Sequence, residues 1–369
     1  METSRIILGI ETSCDETAAA VVRDGREVLS NVIASQHDLH AEYRGVVPEI
    51  ASRAHAERLL PVVERALADA GIGMGDLDAV AVGNRPGLIG SLLVGVAGAK
   101  ALAWTLGVPV IGVDHVRAHL VAGLLTRADS KSQFSNLKFQ ISDAKPFPAI
   151  GLVVSGGHTS LYLCESTTKA RRIGATIDDA VGEAYDKVAA ILGLEFPGGP
   201  NLDKLARTGR VHTPGFPIAR IAPDSLDFSF SGLKTAALYA LKGVPETERH
   251  RAKREARGES LPPLMPAADV AATFQEAAIG AVMLKLERAL DRHPDCRTVL
   301  VGGGVSANSL LRERLAAMAG SRGIAVRIPA MEYCLDNGAM IAALGYDLLV
   351  ERAWQGDDLA MTASPASAF

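Results

Sequence analysis

His115 and His119 stand four residues apart in the segment His-Val-Arg-Ala-His. In a helix that spacing puts both imidazoles on one face, near enough to chelate a single metal ion. A helix surface produces the same spacing by coincidence, so the pair gains meaning only with a third ligand. Asp336, in Cys334-Leu-Asp-Asn-Gly-Ala-Met, is the candidate, a carboxylate in a short polar insert ahead of an apolar run. Capping that helix is its competing role, and the two can coexist. Two imidazoles and a carboxylate suit Fe(II) or Zn(II) better than magnesium, with positions left for water or a phosphate oxygen. Val116 follows the first histidine where an H-E-x-x-H peptidase has its glutamate, so the general base for peptide hydrolysis is missing.

Two glycine turns could hold phosphate. Val153-Val154-Ser155-Gly156-Gly157-His158-Thr159 places glycines and hydroxyls between two strand-like runs, and Gly302-Gly303-Gly304-Val305-Ser306-Ala307-Asn308 opens a helix. Without Cβ atoms, such turns let backbone N–H groups approach an anion. An ordinary hairpin turn is the alternative for the first. Asp186, on a helix ending before Phe196-Pro-Gly-Gly-Pro200, could accept ribose hydroxyls or simply sit on a solvated face.

The elements that must position these residues follow a repeated grammar. Residues 5–23 and 149–165 read as strand, polar turn, strand; residues 79–106 and 298–318 read as strand, glycine turn, helix. The order occurs twice, which predicts two related α/β lobes facing a cleft, with a nucleotide between them. Apolar spacing predicts helices over 52–70, 180–192, 267–291 and 336–349. Residues 1–125 form the expected N-terminal lobe, with a C-terminal helix, 336–354, packing back on it. Residues 149–335 form the second lobe. The polar stretch 126–148 is read as a connection and 355–369 as a frayed tail.

At 369 residues the chain exceeds one ordinary core, and its 48% hydrophobic and 22% charged residues mark a packed globular protein. Residues 88–113 are apolar but broken by Lys100 and glycines, short of the roughly 20 clean residues of a membrane span, and are read as a buried helix and a strand. Arg5 and Glu11 leave no room for a secretory or transit segment, so a cytoplasmic home is expected. Cys14, Cys164, Cys296 and Cys334 lack C-x-x-C spacing, which argues against a zinc knuckle or disulfide framework. A net charge of -4 excludes a polybasic binder, so contact with nucleic acid must be local. The run Glu-Arg-His-Arg-Ala-Lys-Arg-Glu-Ala-Arg at 248–257 is a candidate for weak tRNA phosphate contact, with a solvated face as the alternative.

Taken in order, seven motifs resemble the TsaD family of tRNA N6-threonylcarbamoyladenosine transferases. They are Gly9-Ile-Glu-Thr-Ser-Cys-Asp-Glu-Thr17, Gly45-Val-Val-Pro-Glu-Ile-Ala-Ser-Arg53, His115-x-x-x-His119, Val154-Ser-Gly-Gly-His158, Asp227-Phe-Ser-Phe-Ser-Gly-Leu-Lys234, Gly303-Gly-Val-Ser-Ala-Asn308 and Asp336-Asn-Gly-Ala339. The resemblance implies an actin/sugar kinase/Hsp70-like fold with duplicated RNase H-like lobes and a ligand cleft between them. It implies that His115, His119 and Asp336 hold one divalent metal, Fe(II) with Zn(II) as the alternative. Val153, Val154, Ser155, Gly156, Gly157, Asp186, Gly199 and Asn308 would contact threonylcarbamoyl-adenylate. The implied reaction moves the threonylcarbamoyl group to N6 of the adenosine just 3′ of the anticodon, in tRNAs reading codons that begin with A, and releases AMP. Asp15 and Glu16, in the first hairpin turn, are candidates for the catalytic base, with ordinary turn chemistry as the competing account.

Implied partners are tRNA, a TsaB-like paralogue and a TsaE-like ATPase, with the adenylate supplied by a separate synthase. Rival readings are an ATP-dependent small-molecule kinase of the same superfamily and a non-catalytic scaffold paralogue. The family's older label, O-sialoglycoprotein endopeptidase, conflicts with the missing glutamate. The chain departs from the family pattern at Arg85-Pro86-Gly87, where Gly-Pro-Gly is usual, in a long 126–148 segment, and in lacking a basic-Trp-Pro ending.

Overall fold

Two mixed sheets carry the molecule, and both are strung in the same order. The computed structural model describes residues 4–43, 45–128, 146–219, 221–222, 224–245, 257 and 264–367. The first sheet contains β1 (Ile6–Glu11), β2 (Glu16–Arg23), β3 (Glu27–Ser35), β4 (Ala79–Arg85), β5 (Val110–Asp114) and the short β6 (Thr126–Arg127), in the order β5-β4-β1-β2-β3-β6. The second contains β7 (Ala149–Val154), β8 (Thr159–Cys164), β9 (Ala170–Ala175), β10 (Thr298–Gly302) and β11 (Ala325–Arg327), in the order β11-β10-β7-β8-β9. Leaving β6 aside, the orders match strand for strand. Each begins with an antiparallel meander and adds two parallel strands. The parallel strands need helical crossovers, which the glycine-turn-helix segments supply.

Strand alternation assigns the faces of the first sheet. Leu8, Ile10, Ala19 and Val21 pack against α2 (Pro48–Ala70) and α3 (Ile89–Leu106). Ile7, Ala20 and Val22 face α10 (Gly338–Glu351), which returns from the end of the chain to this sheet. The second sheet is covered on one face by α5 (Val181–Ile191), α6 (Gly198–Ala206), α7 (Ser231–Lys242), α8 (Ala267–Arg292) and α9 (Ser309–Arg322). Its other face meets α4 (His115–Ala122), which buries Val116 and Leu120 against Val153, Tyr162 and Leu300. The helix bearing both candidate histidines is thus the floor between the lobes.

Three expectations need correction. Residues 88–113 do form a helix and a strand, but α3 is not a buried helix, because Ile89, Leu93 and Trp104 are 46%, 53% and 74% exposed. By length and composition alone α3 and α8 could cross a membrane, and α8 is mostly buried within its lobe. The expected frayed tail is docked. Gly112 N donates to Asp357 Oδ2, Ser364 N donates to Asn84 O, and Ser367 Oγ donates to Asp114 Oδ2 at 2.6 Å. The expected connection 126–148 begins with β6, paired to β3. Its central part, and the 248–257 basic run apart from Arg257, lie outside the described residues.

Candidate metal and nucleotide site

β5 passes straight into α4 because Asp114 caps the helix, its Oδ1 accepting the Arg117 N–H at 3.1 Å. Both histidines are buried and lie edge to face, with ring centroids 4.8 Å apart. Asp336 joins them from the far end of the sequence. Asn337, rather than Asp336, caps α10 by accepting the Met340 N–H, which leaves the aspartate free. A methyl group on Gly9 would lie 2.1 Å from Gly338 O, so the start of α10 presses directly on β1 and fixes where Asp336 enters. Its Oδ1 is 3.6 Å from His115 Nε2 and 3.2 Å from His119 Nε2.

The shorter separation is what a shared metal would set, and the longer exceeds it slightly. Bonds of roughly 2.1 Å at tetrahedral or octahedral angles put donor atoms about 3.0–3.4 Å apart. Neither ring nitrogen of the fully buried His119 makes a hydrogen bond of good geometry, Nε2 having only the Asp336 carboxylate at 3.2 Å. Such a group needs a partner. His115 is oriented from behind, with Nδ1 3.0 Å from Glu11 Oε2 and 3.2 Å from Ser13 Oγ. Glu11 also accepts the Ser13 N–H. A carboxylate at Nδ1 holds the proton there and leaves Nε2 free to ligate.

Electrostatics follow from this convergence. Burial opposes charge on Asp336, but His115 and His119 hold its carboxyl well below the usual range. Burial would lower His115, yet Asp336 and Glu11 push it up to about 10. His158, its ring centroid 6.5 Å from that of His115, is pushed down to about 4 by burial and by the two histidines. Asp15 and Glu16 are brought beside this group, together with His37 from α1 (His37–His40). Burial, then Asp336 and Asp15, push Glu16 up to about 9 in the metal-free protein.

The glycine turns meet at the same place. A methyl on Gly302 would lie 2.0 Å from His119 O, and one on Gly303, at φ 93°, 2.4 Å from Val154 O. The first turn is closed by Ser155 N donating to His158 O, while Gly182 N, at the start of α5, donates to Ser155 O. Gly156 and Gly157 face open space. Val153 and Val154 are fully buried in β7, backbone included, so the turn meets the cleft only beyond them. Asp186 Oδ1 accepts the Gly198 N–H at 3.0 Å and so orders the turn containing Gly199, which is open. Burial pushes the Asp186 carboxyl up, against the Gly198 and Gly199 amides.

Asn308 is held by bonds inside its own lobe. Its side chain caps α9 through Leu311 N and donates to Gln275 Oε1 at 3.0 Å, within its own lobe. Arg85 ends β4, its Nε donating to Asn84 Oδ1, and the following Gly87 is required because a methyl there would lie 2.5 Å from Ser13 O. Sequence reading missed Glu11, Ser13, His37 and His158 as site residues. Glu11, Ser13 and His158 stood in the motifs above, but nothing local distinguished them from strand or turn residues.

The chain matches the TsaD family model, described as tRNA N6-adenosine threonylcarbamoyltransferase, over residues 27–343. The protein of that name from Desulfitobacterium hafniense (strain Y51) is 48% identical over 340 residues, covering 92% of this chain and 91% of that one. The one from Moorella thermoacetica is 47% identical over 346 residues, covering 94% and 92%. Among solved structures, HypF of T. kodakarensis has a TM-score of 0.56 at 14% identity, over 96% of this chain and 48% of that chain. Full-length HypF in its phosphate- and nucleotide-bound form gives 0.55 at 14% identity, over 96% and 57%. At that identity the likeness is one of fold, the two-lobed α/β actin/sugar kinase/Hsp70-like architecture. The family match and the relatives' near-complete coverage together place the chain in the TsaD family, the tRNA N6-adenosine threonylcarbamoyltransferases.

Proposed function

We propose that the cleft binds threonylcarbamoyl-adenylate and transfers its threonylcarbamoyl group to N6 of the adenosine just 3′ of the anticodon in tRNAs reading codons that begin with A. The observation that carries this is the meeting of three metal-type donors, His115, His119 and Asp336, with both glycine turns at the His119–Gly302–Gly303–Val154 contact. A neighbour of the same fold, HypF, is known with phosphate and nucleotide bound.

When bound, a divalent ion, Fe(II) or alternatively Zn(II), supplies Lewis acidity and a fixed point for ligand oxygens. The chain's own groups do the rest. Glu11 and Ser13 hold the His115 ring. The 155–157 turn, set at the N-terminus of α5, offers amides to the phosphate, where charge builds as AMP leaves. Asp186 orders Gly198 and Gly199 beside the nucleoside. N6 attacks the carbamoyl carbon, the C–O bond to phosphate breaks with its electrons going to AMP, and the N6 proton passes to Asp15. Glu16, beside it in the same cluster, is the alternative acceptor.

Partner docking follows the same reading. The exposed apolar residues Leu60 on α2 and Ile89, Leu93 and Trp104 on α3 suit a TsaB-like paralogue. A TsaE-like ATPase and a separate adenylate synthase complete the set, in the cytoplasm. The test is a reconstituted reaction with labelled threonine and unmodified tRNA. Label should enter tRNA with one AMP released per transfer. ATP-dependent phosphorylation of a small molecule, with no label in tRNA, would favour the kinase reading instead.

A further inference from the structure

Phe196, at the start of the Phe-Pro-Gly-Gly-Pro segment, leaves 44% of its surface exposed beside the cleft. Its ring neighbour belongs to the opposite lobe. His37 meets it edge to face, with centroids 5.2 Å apart and planes at 89°. His37 in turn has Nε2 3.6 Å from Glu16 Oε1 and 3.9 Å from Asp15 Oδ2. Asp336 lies close enough to Glu16 to raise its carboxyl. On the second lobe, Asp186 feels the same imidazole. A line of contacts therefore runs from the metal ligands through two carboxylates and His37 to a partly exposed aromatic ring. No second ring packs on Phe196 among the described residues.

We propose that Phe196, steadied by His37, is the stacking platform that receives the unpaired adenine of the RNA substrate and turns its N6 edge toward Asp15. The proposal rests on the transfer reaction above. An RNA base that must reach a carbamoyl carbon inside a cleft leaves its neighbours in the strand, and an aromatic face restores the lost stacking. Phenylalanine suits that role because it offers a π-face and no hydrogen bond, leaving recognition of the amino edge to the carboxylates. The rival purine is the adenine of the adenylate. The ring's position argues for RNA, since Phe196 packs edge to face on His37, which borders Asp15 and Glu16 of the first lobe.

The experiment compares Phe196→Ala, Phe196→Leu and Phe196→Tyr with the wild type, using an anticodon stem-loop and preformed adenylate. Single-turnover transfer gives the half-saturating RNA concentration, equilibrium dialysis gives adenylate affinity, and metal content with thermal denaturation checks the fold. In a parallel arm without adenylate, the stem-loop carries 2-aminopurine at the target position, whose fluorescence falls on stacking. Phe196→Ala and Phe196→Leu should raise half-saturating RNA about ten- to a hundred-fold and abolish the quench, with adenylate affinity unchanged. Phe196→Tyr should restore both. His37→Ala, which frees the ring without removing it, should give a smaller loss.

Wild-type RNA binding by Phe196→Ala would overturn the proposal. So would full recovery by Phe196→Leu, which has bulk but no π-face, or weakened adenylate binding with RNA binding intact. If the wild type transferred nothing yet quenched the probe in a Phe196-dependent way, the reaction assignment would fail and the platform would stand.

Discussion

Replacing Glu11 by Gln tests how the proposed metal ligands are held. Glu11 is fully buried and serves two donors, the Ser13 N–H and the His115 Nδ1–H. It cannot swing away, since Gly83 lies against it so closely that a methyl there would be 2.7 Å from Oε2. A glutamine side chain has one acceptor and one donor, so either orientation sets N–H against N–H. Leaving a buried donor unpaired costs about 1–3 kcal/mol. The escape is a tautomer change that puts the proton on His115 Nε2, the atom 3.6 Å from Asp336 and the one that must ligate.

Glu11 also raises the proton affinity of His115, but it favours a doubly charged ion more than a single proton, so the sign is unchanged. Metal affinity should fall about 10- to 100-fold, or roughly 1.4–2.8 kcal/mol. Competition between the protein and a chromophoric chelator for Zn(II) measures this, with denaturation of the metal-free protein as the folding control. A folded Glu11→Gln variant that holds Zn(II) within twofold of the wild type would refute the reasoning.

Gly302→Ala should displace α4, because the new methyl would sit 2.0 Å from His119 O; a loss of about 1–3 kcal/mol in chemical denaturation is expected, and an unchanged midpoint would show that the lobes can part freely there. Glu16→Gln should stabilise the metal-free protein in a pH-dependent way. Glu16 is raised from 4.5 to about 9 by burial, Asp336 and Asp15, so the native state binds the extra proton between those values and wild-type stability falls as pH rises through that window. The variant's advantage should be absent below pH 4.5 and grow toward pH 9; a pH-independent difference would contradict this. Deleting residues 357–369 removes the carboxylate partner of Gly112 N and the hydroxyl on Asp114, and should lower stability by about 1–3 kcal/mol, whereas an unaltered urea midpoint would make the tail a passenger.

The parts of the fold that obey local periodicity were legible. Both hairpins, both strand-turn-helix units and helices α2, α5, α8 and α10 lie where alternation and helical spacing put them. The third strands, β3 and β9, were not, because mixed polar residues such as Ser30, Asn31, Arg171 and Arg172 blur their pattern and pairing with β2 and β8 supplies the order. In the site, the histidine pair was legible from one turn of helix, and Asp336 from its place in a short polar insert, which the family resemblance then tied to the pair. Glu11 was hidden, since a strand-end glutamate acquires meaning only from a histidine 104 residues away. Asn308, expected from its motif to contact ligand, has a further role no motif announced: its side chain caps α9 and donates to Gln275. The tail misled because small polar residues look frayed until a sheet offers them unpaired groups, as at Gly112 N.

The central claim is that an ion gripped by His115, His119 and Asp336 positions the adenylate for attack by an RNA amine. Its most direct test is a titration of metal into stripped protein, scoring occupancy and single-turnover transfer from preformed adenylate in the same samples. Transfer should rise in proportion to occupancy and saturate at one ion per chain, and His119→Ala should neither bind the ion tightly nor transfer. Full-rate transfer by metal-free protein, or by a His119→Ala variant that retains no ion, would contradict the account.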